Sequence, residues 1–245
     1  MRFYKVILEY DGTNYNGWQR QKNTDTTIQQ IVEEKLSIIN KSFVLATSAG
    51  RTDSGVHAKR QVVNFQLDVD VPVRRIPFAL NSLLPRDIIC IDSQEVDEDF
   101  HARHDAKGKL YRYRLSNCRF PSVFTRNYVY NIRSKLDFKK IKEAAPLLVG
   151  THDFASFQNS GSDMEDTVRT IEKIDIYQVE DEYHFDIKGS GFLYNMVRII
   201  MGTFIEIGQG KMQLIDLPKI LESKDRRQAG FTAPGKGLTL MDVYY

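Results

Sequence analysis

The stretch that decides the fold reads GRTDSGVH and runs from Gly50 to His57. It places a carboxylate, a guanidinium and two hydroxyls between two glycines, with an imidazole two residues after the second, and apolar, strand-like runs flank it at 43–46 and 62–67. A polar loop held between rigid strands is a common place for chemistry, because the scaffold fixes the loop and the loop exposes its groups. Arg51 lies two residues before Asp53, so an extended loop would direct both side chains to one side. Such a pair would keep Asp53 ionised, as a nucleophile or base requires.

The same spacing also fits a tight turn without chemistry. In that interpretation Gly55 supplies a positive φ, and Asp53 bonds its own backbone. The spacing alone leaves both interpretations open.

Composition limits the class of protein. A chain of 245 residues with 42% hydrophobic residues can build one large or two smaller domains. No segment approaches the ~18 consecutive apolar residues of a membrane span, and the start enters a strand pattern without a secretory signal. Cys90 and Cys118 stand in no CxxC or metal-ligand spacing, which predicts a reduced, cytoplasmic protein.

Charge is segregated along the chain although the net charge is only +2. An acidic stretch at 92–99 precedes a basic stretch at 103–114 that includes Arg103 and Lys107. A near-neutral protein can still present a basic groove to nucleic acid, and a solvated charged face is the alternative.

Hydrophobic periodicity predicts an α+β fold. The first part shows the order β-α-β-β-α-β of the ferredoxin-like pattern. Its elements are a strand with Tyr4, Val6, Leu8 and Tyr10 on one face, a helix from Ile28 to Ile39 capped by Thr26 or Thr27, strands near 43–49 and 60–67, a helix near 74–83 and a strand at 88–96.

The second part repeats the theme loosely. Its predicted elements are a strand at 107–116, a helix at 138–149, strands near 168–178 and 182–189, a helix at 193–207 and a strand at 238–244. The charge sign switches near residue 104, which predicts an N-terminal domain at 1–104 with the Asp53 loop and a C-terminal domain at 105–245. A mobile polar loop is predicted at 158–166.

The stretch at 50–57 closely resembles the catalytic loop of the TruA family of tRNA pseudouridine synthases. Further blocks that match this family follow in the same order, so the resemblance runs from about residue 3 to the C-terminus. These blocks are EYDGT (9–13), YNGWQRQ (15–21), LPRDI (84–88), FHAR (100–103), YRY (111–113), GFLYNMVR (191–198) and GLTL (237–240).

The resemblance implies two ferredoxin-like α/β halves whose antiparallel sheets join and leave a central catalytic cleft. It implies that Asp53 is the nucleophile that isomerises uridine to pseudouridine at positions 38, 39 and 40 of the tRNA anticodon stem-loop, with the target base flipped out. It also implies a homodimer and no cofactor. The rival hypotheses are a non-catalytic RNA-binding module and a hydrolase that uses Asp53 as general base.

Arg198 is a second candidate catalytic residue, because it lies in a helix that is apolar almost all round. A buried guanidinium needs a carboxylate partner, since taking an unpaired charge out of water costs several kcal/mol. We therefore predict an ion pair between Arg198 and Asp53. The alternative is that Arg198 leaves the helix edge and extends to solvent.

Aromatic and apolar candidates complete the expected pocket. Tyr111 matches the family's active-site tyrosine, which would stack on the flipped uracil or relay a proton. Tyr113 is predicted to be a core residue. Leu240 would form an apolar wall behind the base, a role that the sequence does not separate from ordinary packing.

RNA contacts are predicted from cations and aromatics in two loops. In the first loop, Trp18 would offer a ring on which an RNA base can stack, and Arg20 would offer a positive charge. In the second, Arg103 and Lys107 would meet phosphates. The alternative for the first loop is a polar hairpin anchored by Trp18. His57 is expected to bond a neighbouring carbonyl or to meet the RNA backbone.

No metal or nucleotide site is predicted. His101 and His104 are three residues apart, and on an extended strand they would point to opposite faces. The chain has no GxGxxG or GxxxxGK[ST] motif for dinucleotide or ATP phosphates.

Overall fold

The computed structural model describes residues 1–159 and 166–245. In these residues the chain forms ten strands and five α-helices, an α+β composition in which most strand pairs are antiparallel. The strands are β1 (Arg2–Tyr10), β2 (Thr47–Ser48), β3 (His57–Leu67), β4 (Ile88–Val96), β5 (Gly108–Ser116), β6 (Tyr130–Asn131), β7 (Gly150–Asp153), β8 (Val168–Val179), β9 (Glu182–Gly189) and β10 (Leu238–Tyr244). The α-helices are α1 (Ile28–Asn40), α2 (Ile76–Asn81), α3 (Phe138–Ala144), α4 (Met196–Gly208) and α5 (Asp216–Ser223).

The chain divides into two compact units. The first comprises Met1–Lys107 together with Thr239–Tyr245, and the second comprises Gly108–Leu238. The C-terminal strand therefore belongs with the N-terminal unit, whereas the division expected from charge at residue 104 keeps it in the second domain.

The sheet of the first unit runs in the order β4-β1-β3-β10, with β1 antiparallel to both of its neighbours. Strand β2 pairs antiparallel with one end of β3, and β10 pairs parallel with the other end through Thr239 and His57. The expected core face of β1 is confirmed, because Tyr4, Val6 and Leu8 are fully buried. The observed order along this unit, β1-α1-β2-β3-α2-β4, is the predicted one.

Helix α1 follows the predicted amphipathic pattern. The Thr27 side chain caps it by accepting a hydrogen bond from the Gln30 amide, which satisfies a donor that the first turn leaves open. Ile28, Val32 and Leu36 form its buried stripe.

The strand expected at 43–49 is wrong over most of its length, because only Thr47–Ser48 pair as a strand. Instead, side chains of α1 accept hydrogen bonds from backbone amides of the residues just before Thr47. The Val44 amide donates to Ser37 Oγ at 3.0 Å and the Ala46 amide to Glu33 Oε1 at 3.1 Å. Residues 43–46 still alternate between exposed and buried, although they do not pair with a strand.

The second unit is built on the antiparallel order β5-β9-β8-β7, with β6 parallel to the end of β5. Helix α4 begins at Met196, later than expected, because Asn195 adopts a left-handed conformation with φ 61°. Helix α3 ends at Ala144 and continues as a 3-10 turn over Ala145–Leu148, where Pro146 has no N–H for the helical ladder. The polar loop expected at 158–166 falls largely on residues 160–165, outside the described part of the chain.

Across the described residues, no helix combines the length and apolar character that a membrane crossing requires.

Candidate active site

Asp53 lies on a turn between β2 and β3. Gly55 has φ +73°, and the Val56 amide donates to the Asp53 carbonyl oxygen at 3.1 Å. The turn expected as an alternative to chemistry is therefore present, and it fixes the backbone of a half-buried aspartate. Arg51 is exposed.

Buried polar side chains hold the loop from beneath. The Tyr10 hydroxyl and Thr52 Oγ1 are 2.8 Å apart, and Gln61 Nε2 donates to the Gly50 carbonyl at 2.7 Å. Burial raises the pKa of Tyr10 to about 12, so its phenol is neutral at physiological pH. Gln61 is fully buried, and among the described residues its Oε1 has no hydrogen-bond partner.

His57 is part of this scaffold. Its ring is buried, and Nδ1 accepts a hydrogen bond from the Gly12 amide at 3.0 Å. Nδ1 also lies 3.1 Å from Asp11 Oδ1. This contact is not an ion pair through Nδ1, because the lone pair of that nitrogen accepts the hydrogen of the Gly12 amide. The residue thus bonds a neighbouring backbone group, an amide rather than the carbonyl expected.

Arg198 is held at the start of α4. Its Nε donates to the Ala233 carbonyl at 2.7 Å, and Nη1 donates to Asn195 Oδ1 at 2.6 Å. A cation in the first helical turn faces the positive end of the helix dipole, so this position is unfavourable unless acceptors surround it. Arg198 is half-buried as a residue, and these two bonds fix the orientation of its guanidinium.

Asn195 is a further candidate residue that the sequence predictions do not include. It combines a left-handed backbone, which asparagine tolerates better than most residues, with a side chain aimed at Arg198. An asparagine directly before an apolar helix was the available signal. The Ala233 carbonyl, which is the other acceptor for Arg198, is also held in place. Gly202 packs directly on the Phe231 backbone, and this contact fixes the segment that carries Ala233.

The two tyrosines of β5 are both buried but make different contacts. Tyr113 is fully buried and donates to the Pro234 carbonyl at 2.9 Å, which confirms it as a core residue. Tyr111 is 7% exposed and meets the Phe192 ring edge-on at 5.2 Å between centroids. In the first unit, Leu240 is fully buried and pairs with Ala58, next to His57.

The loop that carries Trp18 and Arg20, the first candidate for RNA contacts, makes more contacts within the protein than its composition indicated. Trp18 is 1% exposed and packs near Tyr10, with 6.3 Å between ring centroids. Arg20 Nη2 lies 2.6 Å from Oε2 of the buried Glu33. This burial favours the anchoring role for Trp18, because at 1% exposure its ring offers almost no surface to a base.

The basic stretch at 103–114 contains both exposed and paired cations. Arg103 and Lys107 are exposed. Arg112 and Arg114 instead form two-pronged hydrogen bonds with carboxylates on β9. The two exposed side chains therefore remain the candidates for phosphate contacts.

The expectation that His101 and His104 point apart is wrong. Their ring centroids are 4.1 Å apart, because both residues lie in a turn and not on a strand. Within the described residues, no three side chains of His, Cys, Asp or Glu come together in a group that could hold a metal ion.

Comparison with known proteins agrees with the resemblance seen in the sequence. The family model described as tRNA pseudouridine synthase matches residues 6–105 and 144–245. The chain is 49% identical over 245 residues to tRNA pseudouridine synthase A of Acetivibrio thermocellus, covering 100% of both chains. It is 48% identical over 239 residues to the protein of the same name from Halalkalibacterium halodurans, covering 97% of this chain and 90% of that one. The chain belongs to the tRNA pseudouridine synthase family.

Proposed function

We propose that this protein isomerises uridine to pseudouridine at positions 38, 39 and 40 of the tRNA anticodon stem-loop, with Asp53 as nucleophile and the base flipped out of the stack. Family membership supports the reaction class and the tRNA substrate. One observation carries the assignment of Asp53: a half-buried carboxylate on a turn whose backbone is bonded on both sides.

The reaction needs a nucleophile but no oxidant, reductant or water. The bond from uracil N1 to ribose C1′ breaks, a bond from C5 to C1′ forms, C5 loses a proton and N1 gains one. The nucleotide mass is unchanged. Attack of Asp53 on the ribose and attack on the uracil ring both satisfy this balance, so a trapped covalent adduct distinguishes them.

The remaining catalytic roles follow from what each group can supply. In our proposal the sheets of the two units join, and Arg198 pairs with Asp53 in the cleft between them. Together with Arg51 it keeps the nucleophile ionised. Fixed guanidinium geometry supports this role, since a planar fork held by neutral oxygens is ready to bind a carboxylate. Tyr111 would stack on the everted base.

Binding of RNA is assigned to exposed cations. Arg103 and Lys107 would meet phosphates, which position a nucleic acid without reading its sequence. Leu240 would close the pocket behind the base. We further propose a cytoplasmic homodimer in which one tRNA contacts both subunits, because a two-fold assembly lengthens the basic surface.

Asp53→Asn tests the proposal. The amide keeps the size of the side chain and removes its nucleophilic charge, so a cell that depends on this protein should lose pseudouridine at the three positions while the purified variant still binds tRNA. Asp25→Asn, an exposed carboxylate of the same unit, is the matched control. Unchanged pseudouridine in the Asp53 variant would reject the enzyme hypothesis, and released uracil or cleaved RNA from the wild-type protein would favour a hydrolase.

A further inference from the structure

Two glycines pack directly against the backbone of the Asp53 loop. A Cβ added to Gly17 would lie 2.6 Å from the Thr52 carbonyl oxygen and 3.0 Å from the Asp53 carbonyl carbon. A Cβ added to Gly12 would overlap the Val56 carbonyl. Real side chains do not approach backbone so closely, so any substitution must displace the loop or the segment that carries the glycine.

Hydrogen bonds join the same two segments on both sides of Asp53. Before it, the Trp18 amide donates to the Thr52 carbonyl at 2.9 Å. After it, the Gly55 amide and Ser54 Oγ both donate to the Tyr15 carbonyl, at 3.3 and 3.2 Å.

The bond from the Gly12 amide to His57 closes the far end of this contact. The loop is therefore held at residues 52, 54, 55 and 57 by a segment more than thirty positions away in sequence. Local turn geometry alone needs none of these bonds.

We propose that residues 12–18 form a backbone clamp whose positioning residues, Gly12 and Gly17, set the direction of Asp53. The inference rests on the proposed function, because only a catalytic role of Asp53 requires that its loop be held rigidly. A nucleophile must reach its target within a few tenths of an ångström, and a displacement of about 1 Å can lower a rate on the order of a hundredfold.

Close packing must be separated from backbone strain, since Gly17 also has φ +82°. Gly210 provides the matched control: its φ is +72°, and an added Cβ would meet nothing within 4 Å. Gly210→Ala thus introduces the strain without the contact. Gly17→Asn relieves part of the strain, because asparagine tolerates this conformation, but it keeps the clash.

The experiment compares Gly12→Ala, Gly17→Ala, Gly17→Asn and Gly210→Ala as full-length proteins. Trp18 is the single tryptophan of the chain and lies in the clamp, so its fluorescence reports displacement directly. We expect a red-shifted emission and a kcat lowered on the order of 10- to 100-fold in the first three variants, with the Kd for tRNA within about twofold of the parent. Gly210→Ala should match the parent in all three quantities.

Several outcomes would overturn the proposal. A kcat loss in Gly210→Ala equal to that in Gly17→Ala would assign the effect to strain. Equal losses in kcat and tRNA affinity would make the segment a binding element, and a fluorescence shift with normal kcat would make it purely structural.

Two further measurements keep the proposal testable. If the glycine variants do not fold, Ser54→Ala removes one clamp bond gently and should still lower kcat several-fold without changing the Kd. If the parent protein forms no pseudouridine, the proposed function fails, while the fluorescence comparison still decides whether the clamp holds the loop.

Discussion

Asn195 should be needed for turnover although it lies outside the predicted set of catalytic residues. Its Oδ1 accepts a hydrogen bond of 2.6 Å from Arg198 Nη1. A hydrogen bond to a charged group contributes about 1.5–3 kcal/mol. If Arg198 acts mainly in the transition state, Asn195→Gly should lower kcat by about 10- to 150-fold.

Glycine is the informative substitution because it accepts the left-handed backbone of residue 195 and removes only the acceptor. Asn195→Ala adds a conformational cost of about 1 kcal/mol, which should appear as lower stability. Asn195→Asp keeps an acceptor but introduces a carboxylate that competes for Arg198, so we expect low kcat with nearly normal stability.

The assay follows from the chemistry. Forming the carbon–carbon bond expels the hydrogen on uracil C5, so tRNA labelled there with tritium releases its label into water at the rate of turnover. Urea unfolding of each variant provides the stability control. If Asn195→Gly and Asn195→Asp both retain the parental kcat, the Asn195 contact does not position a catalytic guanidinium and the reasoning is refuted.

Three further predictions concern stability and binding. Glu33→Ala should lower the free energy of unfolding by about 3 kcal/mol, because it removes the acceptor of the buried Ala46 amide and one acceptor of the buried Gln29 side chain, whereas the exposed neighbour change Glu34→Ala should stay within about 0.5 kcal/mol by urea denaturation. Burial lowers the pKa of His184 in the folded state from 6.5, so below that pH the unfolded chain binds more protons and the free energy of unfolding should fall. Calorimetry at pH 7 and pH 5 should show a smaller fall in stability for His184→Gln than for the parent protein. The double change Arg103→Ala with Lys107→Ala should weaken tRNA binding and flatten its salt dependence by about one to two units of the log–log slope, with turnover at saturating tRNA unchanged.

Elements with a strong internal pattern could be predicted from sequence. The alternation of β1, the Thr27 cap and the bounds of β10 all follow from side-chain period or capping chemistry that a single segment contains. The turn that carries Asp53 is of the same kind, because Gly55 supplies the conformation that the turn needs.

Features that depend on a distant partner could not be predicted. Val44 and Ala46 look like strand residues, yet Ser37 and Glu33 of α1 take their amides. The late start of α4 depends on the unusual backbone of Asn195, which an apolar pattern does not encode. Short elements such as α5, with eight residues, offer too few turns for a period to stand out.

The return of β10 to the first unit affects how the protein can be made. During translation β10, which pairs with His57 and Ala58 of β3, is synthesised long after β3, so the nascent chain carries an unfinished sheet edge during that interval. A prematurely released chain would contain the Asp53 loop without Leu240. Such fragments should be inactive and prone to aggregation, which couples the formation of this site to the synthesis of β10.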